Sequence, residues 1–469
     1  MSNQMADHTN PRPLSPRDIV RSGLCIGCGS CVAQGDEPGS RMELDCYGQY
    51  KPAGSHEWLH RRSSKFARTC PFSPVARNED DLATDLFPDS RHHHSSLGCF
   101  QTAYVGYAAE NDFRERASSG GMVSWVLTEL LRTGLIDGAA HVVAATDPQQ
   151  EGRFFGYRVS RTVKEIRAGA KSQYYPVELS EVLRNVQAVP GRYAVVGVPC
   201  FIKAIQLLCR EDRVLRERIA FTLGLFCGHM KSARLMESFA WQMGVSVDMI
   251  QRVEFRFKDS NRSANSYTAQ FTLRDGRVVQ KDWWNLADGD WGAGFFQNSA
   301  CNFCDDVVAE TADVSFGDAW VEPYSSDGRG TNVVIVRSQI VENLVANGIE
   351  AGRLKLEPVN AEFVHETQAA GLRQRREGLA YRLCWPRFGI QPGKRVAADS
   401  RKISLRRKLI YRLRSLISAW SHRVFWLARL VQRPRVYIRW ASMTLSVYHG
   451  LAYSRGKVGK VIERLAQAF

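Results

Sequence analysis

The segment RYAVVGVPCFIKAIQLLC (192–209) predicts a buried strand that passes directly into a helix. Its first part is a short, mostly apolar run, and its second part repeats apolar residues at helical spacing. Cys200 stands at the junction. A second strand, predicted in RIAFTLGLFCGH (218–229), also ends beside a cysteine, Cys227. Because ligand sites gather at the carboxyl ends of strands in open α/β sheets, both cysteines are expected at such a site.

Neighbouring segments extend this pattern into an α/β fold. AYVGYA (103–108) and AAHVVAAT (139–146) predict strands on either side of a helix in GGMVSWVLTELLRTG (120–134). Residues 251–300 instead alternate apolar and polar side chains around a turn at Asp275-Gly276, which indicates an antiparallel insertion. No window contains the roughly 18 uncharged apolar residues that a membrane-spanning helix needs.

The positive charge of the chain is concentrated in its last part. The formal net charge is +15, and residues 395–469 contain 17 Lys and Arg residues but only two acidic residues. Residues 1–394 contain 46 basic and 46 acidic residues, so the body is neutral overall. A nucleic acid is therefore not expected as a partner, and the basic surface belongs to the tail.

The first group of cysteines is Cys25, Cys28 and Cys31, with Cys70 and a following proline downstream. The polar start has no apolar region for secretion, so clustered thiols are expected to be ligands rather than disulfides. Three thiolates in a short loop and a remote Cys-Pro are typical of a [4Fe–4S] cluster. Cys46 is a rival for the fourth position, and a structural zinc site is the alternative.

The second group combines Cys301 and Cys304, spaced as C-x2-C, with the two cysteines at strand ends, Cys200 and Cys227. We expect these four to hold a second cluster, with buried, inert thiols at Cys200 or Cys227 as the alternative. The cysteines expected to serve only in packing are Cys99, Cys209 and Cys384.

A third candidate site lies at the start of the helix predicted after residue 119. Ser118, Ser119, Gly120 and Gly121 precede it, and free N–H groups at a helix start attract a pyrophosphate. The same sequence also serves as an ordinary capping turn. A protein that exchanges single electrons with a two-electron organic substrate needs a flavin or a similar cofactor, which favours the binding interpretation.

Six motifs together resemble one protein family. They are GLCIGCGSC (23–31), ASSGGMVSWVLTELLRTGLIDGA (117–139), KSQYYP (171–176), VGVPCFIKAIQLL (196–208), LGLFCGH (223–229) and CNFCDDVVAETADVSFGDAW (301–320). The family is that of the coenzyme F-420 hydrogenase/dehydrogenase beta subunits, which includes 7-hydroxymethyl chlorophyll a reductase. The resemblance extends over roughly residues 18–340.

The resemblance implies FAD as a cofactor and two [4Fe–4S] clusters held by the two cysteine groups. The flavin contacts that it implies are Ser118, Ser119, Gly120, Gly121, Lys171, Ser172 and Tyr174. His229 and Asp318 fall in matching motifs and are candidate catalytic residues, although Asp318 is equally well explained as the cap of a turn.

With this resemblance the chain is expected to have six parts. They are a disordered start (1–17), a ferredoxin-like [4Fe–4S] segment (18–77), a linker (78–98), the N-terminal part of the flavin domain (99–190), its C-terminal part with the second cluster (191–394) and a basic amphipathic helical tail (395–469).

The expected function is an iron–sulfur flavoprotein oxidoreductase that passes electrons between clusters and FAD. Its substrate would be an organic molecule or a deazaflavin, and its partner an electron carrier such as ferredoxin. A different class is a zinc-stabilised, non-catalytic scaffold in a glycan-assembly complex. The expected location is the cytoplasm, with peripheral attachment at the inner face of the membrane through the tail.

The tail predicts one amphipathic helix over residues 403–431. The apolar residues on its predicted face are Leu409, Leu413, Leu416, Ile417, Trp420, Val424, Leu427 and Val431. Leucine and tryptophan on one face with arginine elsewhere are typical of a helix that lies in the plane of an anionic membrane surface. A helix packed on the body or on a partner protein is the alternative.

Overall fold

The computed structural model describes residues 13–35, 37–387 and 389–455. The strands in this part of the chain are β1 (Arg41–Leu44), β2 (Tyr50–Ala53), β3 (His92–His94), β4 (Gly98–Phe100), β5 (Thr102–Ala108), β6 (Gly138–Ala144), β7 (Phe155–Ser160), β8 (Tyr193–Gly197), β9 (Ile219–Leu225), β10 (Ile250–Phe257), β11 (Thr268–Leu273), β12 (Val278–Asp282), β13 (Val314–Asp318), β14 (Asn332–Val336) and β15 (Leu354–Val359). The α-helices are α1 (Pro16–Arg21), α2 (Ser30–Ala33), α3 (His56–His60), α4 (Ser64–Thr69), α5 (Glu79–Leu86), α6 (Phe113–Arg116), α7 (Met122–Arg132), α8 (Pro148–Glu151), α9 (Val163–Ala168), α10 (Ser180–Ala188), α11 (Pro199–Glu211), α12 (Arg213–Arg218), α13 (Arg234–Gln242), α14 (Gln339–Glu350), α15 (Ala361–Thr367), α16 (Ala369–Arg375), α17 (Glu377–Leu383), α18 (Leu405–Leu430) and α19 (Pro434–Tyr453).

Eight of these strands form one mixed sheet in the order β15-β5-β14-β13-β9-β8-β6-β7. The central strands β13, β9, β8 and β6 are parallel, while the outer strands pair antiparallel with their neighbours. Because β14 is antiparallel to both β13 and β5, β5 points the same way as the central strands. The carboxyl ends of five strands therefore lie at one edge of the sheet. This arrangement confirms the predicted α/β fold.

Helices cover both faces of this sheet. In β8, Ala194 and Val196 face a core formed with α7 and α14, while Tyr193 and Val195 face α10, α11 and the N-terminal segment. Successive side chains of a strand point to opposite faces, so the nearly continuous apolar sequence of β8 is what a strand covered on both sides requires.

A smaller antiparallel sheet, β10-β11-β12, is inserted between β9 and β13. Its second hairpin turns at Gly276, where φ is +85°, at the position predicted from Asp275-Gly276. The end of β10 lies over the carboxyl edge of the main sheet, because Arg256 of β10 pairs with Asp318 of β13 at 2.9 Å. The insertion therefore adds side chains to the edge where a site is expected.

The first hundred residues contain short elements. Helix α1 begins at Pro16 with Ser15 as its N-cap, inside the segment predicted to be disordered (1–17), and residues 1–12 lie outside the described part of the chain. The segment predicted to be a linker (78–98) contains helix α5, strand β3 and the start of β4, which pairs with β3. The ferredoxin-like character of residues 18–77 stays a prediction.

The tail forms two helices, of which α18 lies within the residues predicted to be helical (403–431) and α19 follows it. They run antiparallel, since Arg406 at the start of α18 donates to the carbonyl of Leu451 near the end of α19. Their inner faces pack on the body: Ile417, Phe425 and Tyr437 share a core with Phe296. None of the helices in the described residues combines the length and apolar character needed to cross a bilayer.

Part of the apolar stripe predicted for the tail is buried against the body. Ile417 is buried, and Leu413 and Val424 pack against the core. The outer members of the stripe remain exposed. They are Leu409, Leu416, Trp420, Leu427 and Val431.

Candidate functional site

The first cysteine set lies in the N-terminal segment. Cys25, Cys28, Cys31 and Cys70 line one cavity, whose other walls are mainly apolar. Cys46, the rival for the fourth position, is exposed and does not line this cavity. The structure therefore places Cys70, rather than Cys46, with the other three cysteines.

The loop of the first set fits closely against the main domain. The main-chain N–H of Leu179 donates to the carbonyl of Cys28 at 2.9 Å. Gly29 has a φ of +83°, and a Cβ there would lie 2.4 Å from a carboxylate oxygen of Glu178. Only glycine suits this position, so the loop is held in one conformation against α10.

Burial disfavours ionisation of the first-set thiols. It raises the pKa of Cys28 to about 11 and raises the pKa values of Cys31 and Cys70 well above the ordinary value. Charges on the neighbouring thiols raise the pKa of Cys31 further. Thiolates in such a place need a bound cationic centre, because metal ligation is what holds a buried cysteine deprotonated.

The second cysteine set is assembled from three places in the chain. Cys200 is the second residue of α11, directly after β8, and Cys227 follows β9. Cys301 and Cys304 lie in and directly after a 3-10 turn (Ser299–Phe303). The main-chain N–H of Met230 donates to Sγ of Cys301 at 3.3 Å. The prediction that Cys200 and Cys227 stand at strand ends is confirmed.

The two sets are neighbours. Cys28, Cys70 and Cys301 belong to one hydrophobic core, against which Cys200 and Cys304 also pack. Burial raises the pKa of Cys200 well above its ordinary value, and the other three thiols of its set and Cys28 of the first set raise it further. A charge on Cys28 of the first set therefore raises the pKa of a thiol in the second set.

Arg375, at the end of α16, is a residue that the sequence analysis missed. It is buried, and its guanidinium donates to the carbonyls of Cys301 and Gly228. Burial alone would lower the pKa of Arg375, but the charges of the four second-set thiols raise it above the ordinary value. Within the described residues it forms no ion pair with a carboxylate. Nothing in the local sequence marks it, since basic residues are common in the last turn of a helix.

Neither thiol set is closed around a single metal ion. In the described parts of the chain, no three His, Cys, Asp or Glu side chains converge as the ligands of a single metal ion do. A tetrahedral zinc site would bring four sulfurs to within about 4 Å of one another. Neither cysteine set forms such a group in the described parts of the chain.

The two loops predicted to contact a flavin lie side by side at the carboxyl edge of the sheet. The main-chain N–H of Ser172 donates to Oγ of Ser118 at 2.9 Å, and Oγ of Ser119 donates to the carbonyl of Thr331 at 3.1 Å. Nζ of Lys258 donates to the carbonyl of Ser119 at 2.9 Å. The insertion thus takes part in holding this loop, which the sequence did not reveal.

The glycines at the start of α7 serve the packing of the chain itself. A Cβ on Gly120 would lie 2.8 Å from the main-chain nitrogen of Asn332, and one on Gly121, where φ is +84°, would lie 2.6 Å from the carbonyl of Phe113. The side chain of Asn332 also accepts from the N–H of Met122 at 3.2 Å. Asn332 therefore caps the first N–H of this helix, and contact of the two glycines with a flavin stays a prediction.

Basic side chains surround the paired loops. Lys171 pairs with Glu254 at 3.2 Å, and Arg256 pairs with Asp318 at 2.9 Å. Burial lowers the pKa of Lys258 to about 7, and the positive charges of Lys171, Arg114 and Arg256 lower it further. The carboxylate of Asp318 is therefore ion-paired with Arg256. Lys171 and Arg256 are each paired with a carboxylate, so Lys258 is the side chain among these three whose charge suits a phosphate group.

Aromatic rings connect the second cysteine set to the paired loops. His229, two residues after Cys227, stacks on Trp291 with 4.4 Å between ring centroids, and Trp291 lies 4.8 Å from Tyr174. Trp283 and Tyr267 also contact Tyr174. His229 is buried, and its Nε2 has no hydrogen-bond partner among the described residues. Burial lowers the pKa of His229 well below its ordinary value, and the charges of Lys231, Arg414 and Arg375 lower it further.

The fold and this site define an α/β protein with two neighbouring cysteine centres beside a basic, aromatic-lined edge of its sheet. Two family models match most of that domain: the coenzyme F420 hydrogenase/dehydrogenase beta subunit N-terminal model at residues 103–184 and the corresponding C-terminal model at residues 191–362. Together they cover more than half of the chain. The protein belongs to the coenzyme F420 hydrogenase/dehydrogenase beta subunit family.

Individual relatives are distant. The chain is 23% identical over 371 residues to a coenzyme F420-dependent sulfite reductase of Methanocaldococcus jannaschii, which is 76% of this chain but only half of that protein. It is 24% identical over 270 residues to a coenzyme F420 hydrogenase subunit beta of Methanococcus voltae, covering 56% of this chain and 86% of that one. A chain of the F420-reducing [NiFe] hydrogenase complex from Methanosarcina barkeri has a TM-score of 0.47 at 17% identity, covering 61% of this chain and 92% of that chain.

Proposed function

We propose that this protein is an iron–sulfur flavoprotein oxidoreductase. Its two [4Fe–4S] clusters would be held by Cys25, Cys28, Cys31 and Cys70 and by Cys200, Cys227, Cys301 and Cys304. The observation that carries the proposal is the closeness of the two sets, whose cysteines lie in or against one core. Two thiol sets that share one core suit a protein that passes electrons between centres.

The charge of Arg375 supports an anionic centre at the second set. A buried cation is costly unless an anion compensates it, and the described residues offer Arg375 no carboxylate. Four cysteine thiolates around a bound cluster would supply the missing negative charge. Neutral thiols at all four positions would leave this guanidinium without a counter-ion.

The paired loops are the proposed FAD site. Lys171, Lys258 and the N–H groups around Ser119 would bind the pyrophosphate, while Tyr174 and Trp291 offer apolar surface for the ring. When bound, clusters supply single-electron transfer and a flavin exchanges one or two electrons. The stacked pair of His229 and Trp291 lies between Cys227 and Tyr174 and would keep water out of this space.

The proposed substrate class is a deazaflavin of the coenzyme F420 type or another organic two-electron substrate. The named relatives are F420-dependent enzymes or their subunits, which favours an oxidoreductase that works with a protein partner such as ferredoxin or a larger complex. The proposed location is the cytoplasm. A zinc-stabilised scaffold is not favoured, because the family and the named relatives are those of redox enzymes.

Anaerobic purification tests the proposal. We expect about eight iron and about eight sulfide ions per chain, one FAD, and a visible spectrum with a broad iron–sulfur shoulder under flavin bands. A colourless protein that contains zinc instead of iron would overturn the proposal in favour of the scaffold.

A further inference from the structure

The helix pair α18–α19 carries an unusual share of exposed apolar surface. More than half of the large hydrophobic side chains that the described residues expose lie between residues 405 and 453, about a tenth of the chain. Soluble monomers rarely concentrate exposed apolar side chains in this way unless the patch binds something. The family models end at residue 362, so this surface lies outside the domain that they describe.

Four of these side chains form a line along the outer face of α18. Leu409, Leu416, Trp420 and Leu427 recur at intervals of seven, four and seven residues, which places them on one side of a helix. Each is between 45% and 55% exposed. We call these four residues the outer stripe. The opposite face of α18 is the one that packs on the body, so the outer stripe is not needed by the core.

The same helices carry positive charge that is largely without counter-ions. Residues 405–453 contain ten Lys and Arg residues and no Asp or Glu. In the part of the chain that the structure describes, Arg429 is the one of these ten that pairs with a carboxylate, that of Glu237 at 3.5 Å. Arg412 and Arg423 lie along one side of the outer stripe, and the guanidinium of Arg423 lies 5.3 Å from the ring centroid of Trp420. The surface is therefore both apolar and strongly basic.

We propose that the α18–α19 pair docks the protein peripherally on an anionic membrane surface. Leucine and tryptophan along the centre of an exposed helix, with arginines at its margins, match the boundary between acyl chains and phosphate headgroups. Attachment is to the surface only, since the helices here are not apolar enough to cross a bilayer. The absence of acidic side chains between residues 405 and 453 fits a uniformly anionic partner.

Sedimentation of the full-length protein with lipid vesicles tests this docking. We expect binding to phosphatidylglycerol vesicles, little binding to phosphatidylcholine vesicles, and partial release at about 1 M salt, where the Debye length falls to about 3 Å. Replacing the outer stripe in part (Leu416→Ser with Trp420→Ser) should weaken partitioning by about tenfold or more. The matched control is Trp284→Ser, because Trp284 is 62% exposed but belongs to the body and not to the α18–α19 pair.

A variant that removes one positive charge measures the electrostatic contribution to vesicle binding. Arg423→Gln should weaken binding to phosphatidylglycerol vesicles by about fivefold at low salt and leave cluster and flavin content unchanged. Equal binding to both kinds of vesicle, or stripe variants that bind as the wild type does, would overturn the proposal. A stable dimer in light scattering that Trp420→Ser dissociates would also overturn it, since a second copy would then cover the stripe. These outcomes do not bear on the redox proposal, which cofactor analysis tests separately.

Discussion

The two cysteine sets lie in one core but are built differently. Three members of the first set come from a single seven-residue loop that glycines hold against α10, whereas the second set is assembled from β8, β9 and a distant turn. A set from one loop depends mainly on local geometry. A set from several strand ends depends on the whole sheet, and it can recruit charged groups from elsewhere in the fold.

The cations near the two sets differ accordingly. At the first set, Lys51 donates to the carbonyl of Cys25 at 2.9 Å but is partly exposed to solvent. At the second set, Arg375 is buried, and after burial it is the strongest influence on the pKa values of Cys227, Cys301 and Cys304, which it lowers. A buried positive charge stabilises the more negative, reduced form of a centre, so the second set should have the higher reduction potential.

The largest expected effect is the loss of one centre at a time. Cys304→Ser should remove about half of the iron and leave the first cluster, and Cys28→Ser should remove the other half, because each serine deletes one of four ligands. Iron analysis and electron paramagnetic resonance of the reduced proteins measure this. If both substitutions eliminated the same signal, the division into two sets would be wrong.

The choice of the fourth ligand in the first set gives the next prediction. Cys70→Ser should weaken or abolish the first cluster, because Cys70 lines the cavity with the other three thiols. Cys46→Ser is the matched control and should leave iron content and spectra unchanged, since Cys46 is exposed elsewhere. The opposite pattern would assign the fourth position to Cys46.

The role of Arg375 is tested by the potential of the second cluster. A unit charge several ångströms away is worth about 2 kcal/mol at an effective dielectric constant of about 20, which is on the order of 100 mV for one electron. Arg375→Met should therefore lower this potential by on the order of 100 mV, and Arg375→Lys should restore part of it. The measurement is a redox titration followed by electron paramagnetic resonance.

A matched substitution at the first set sharpens the comparison. Lys51→Met should shift the potential of the first cluster by less than half as much, because solvent screens a partly exposed charge. If Lys51→Met and Arg375→Met shifted the two potentials equally, the buried cation at the second set would have no greater effect than the partly exposed one at the first. The proposed difference between the two sets would then be wrong.

The sequence was a good guide to the fold and to those site residues that short motifs mark. Short apolar runs predicted β5, β6, β8 and β9, and two cysteines were correctly placed at the ends of strands. Asn332 and Arg375 escaped notice because their roles depend on long-range contacts: Asn332 caps a helix 210 residues earlier, and Arg375 reaches carbonyls of two other loops. The tail shows the same limit, since helical periodicity identified an apolar face but not which half of it the body would cover.

The smallest expected effect is a pH dependence of FAD binding at the paired loops. The pKa of Lys258 is lowered to about 7, first by burial and then by Lys171, Arg114 and Arg256, with Glu115 opposing them. An anionic pyrophosphate favours the protonated amine, so FAD binding should take up a proton and weaken by about three- to tenfold between pH 6 and pH 8. Lys258→Arg keeps its charge over this range and should bind FAD with little pH dependence. Fluorescence titration of apoprotein with FAD measures both. If the FAD affinity of the wild type were as insensitive to pH as that of Lys258→Arg, Lys258 would not face the bound phosphate. The functional positive charge would then be confined to the surroundings of Arg375.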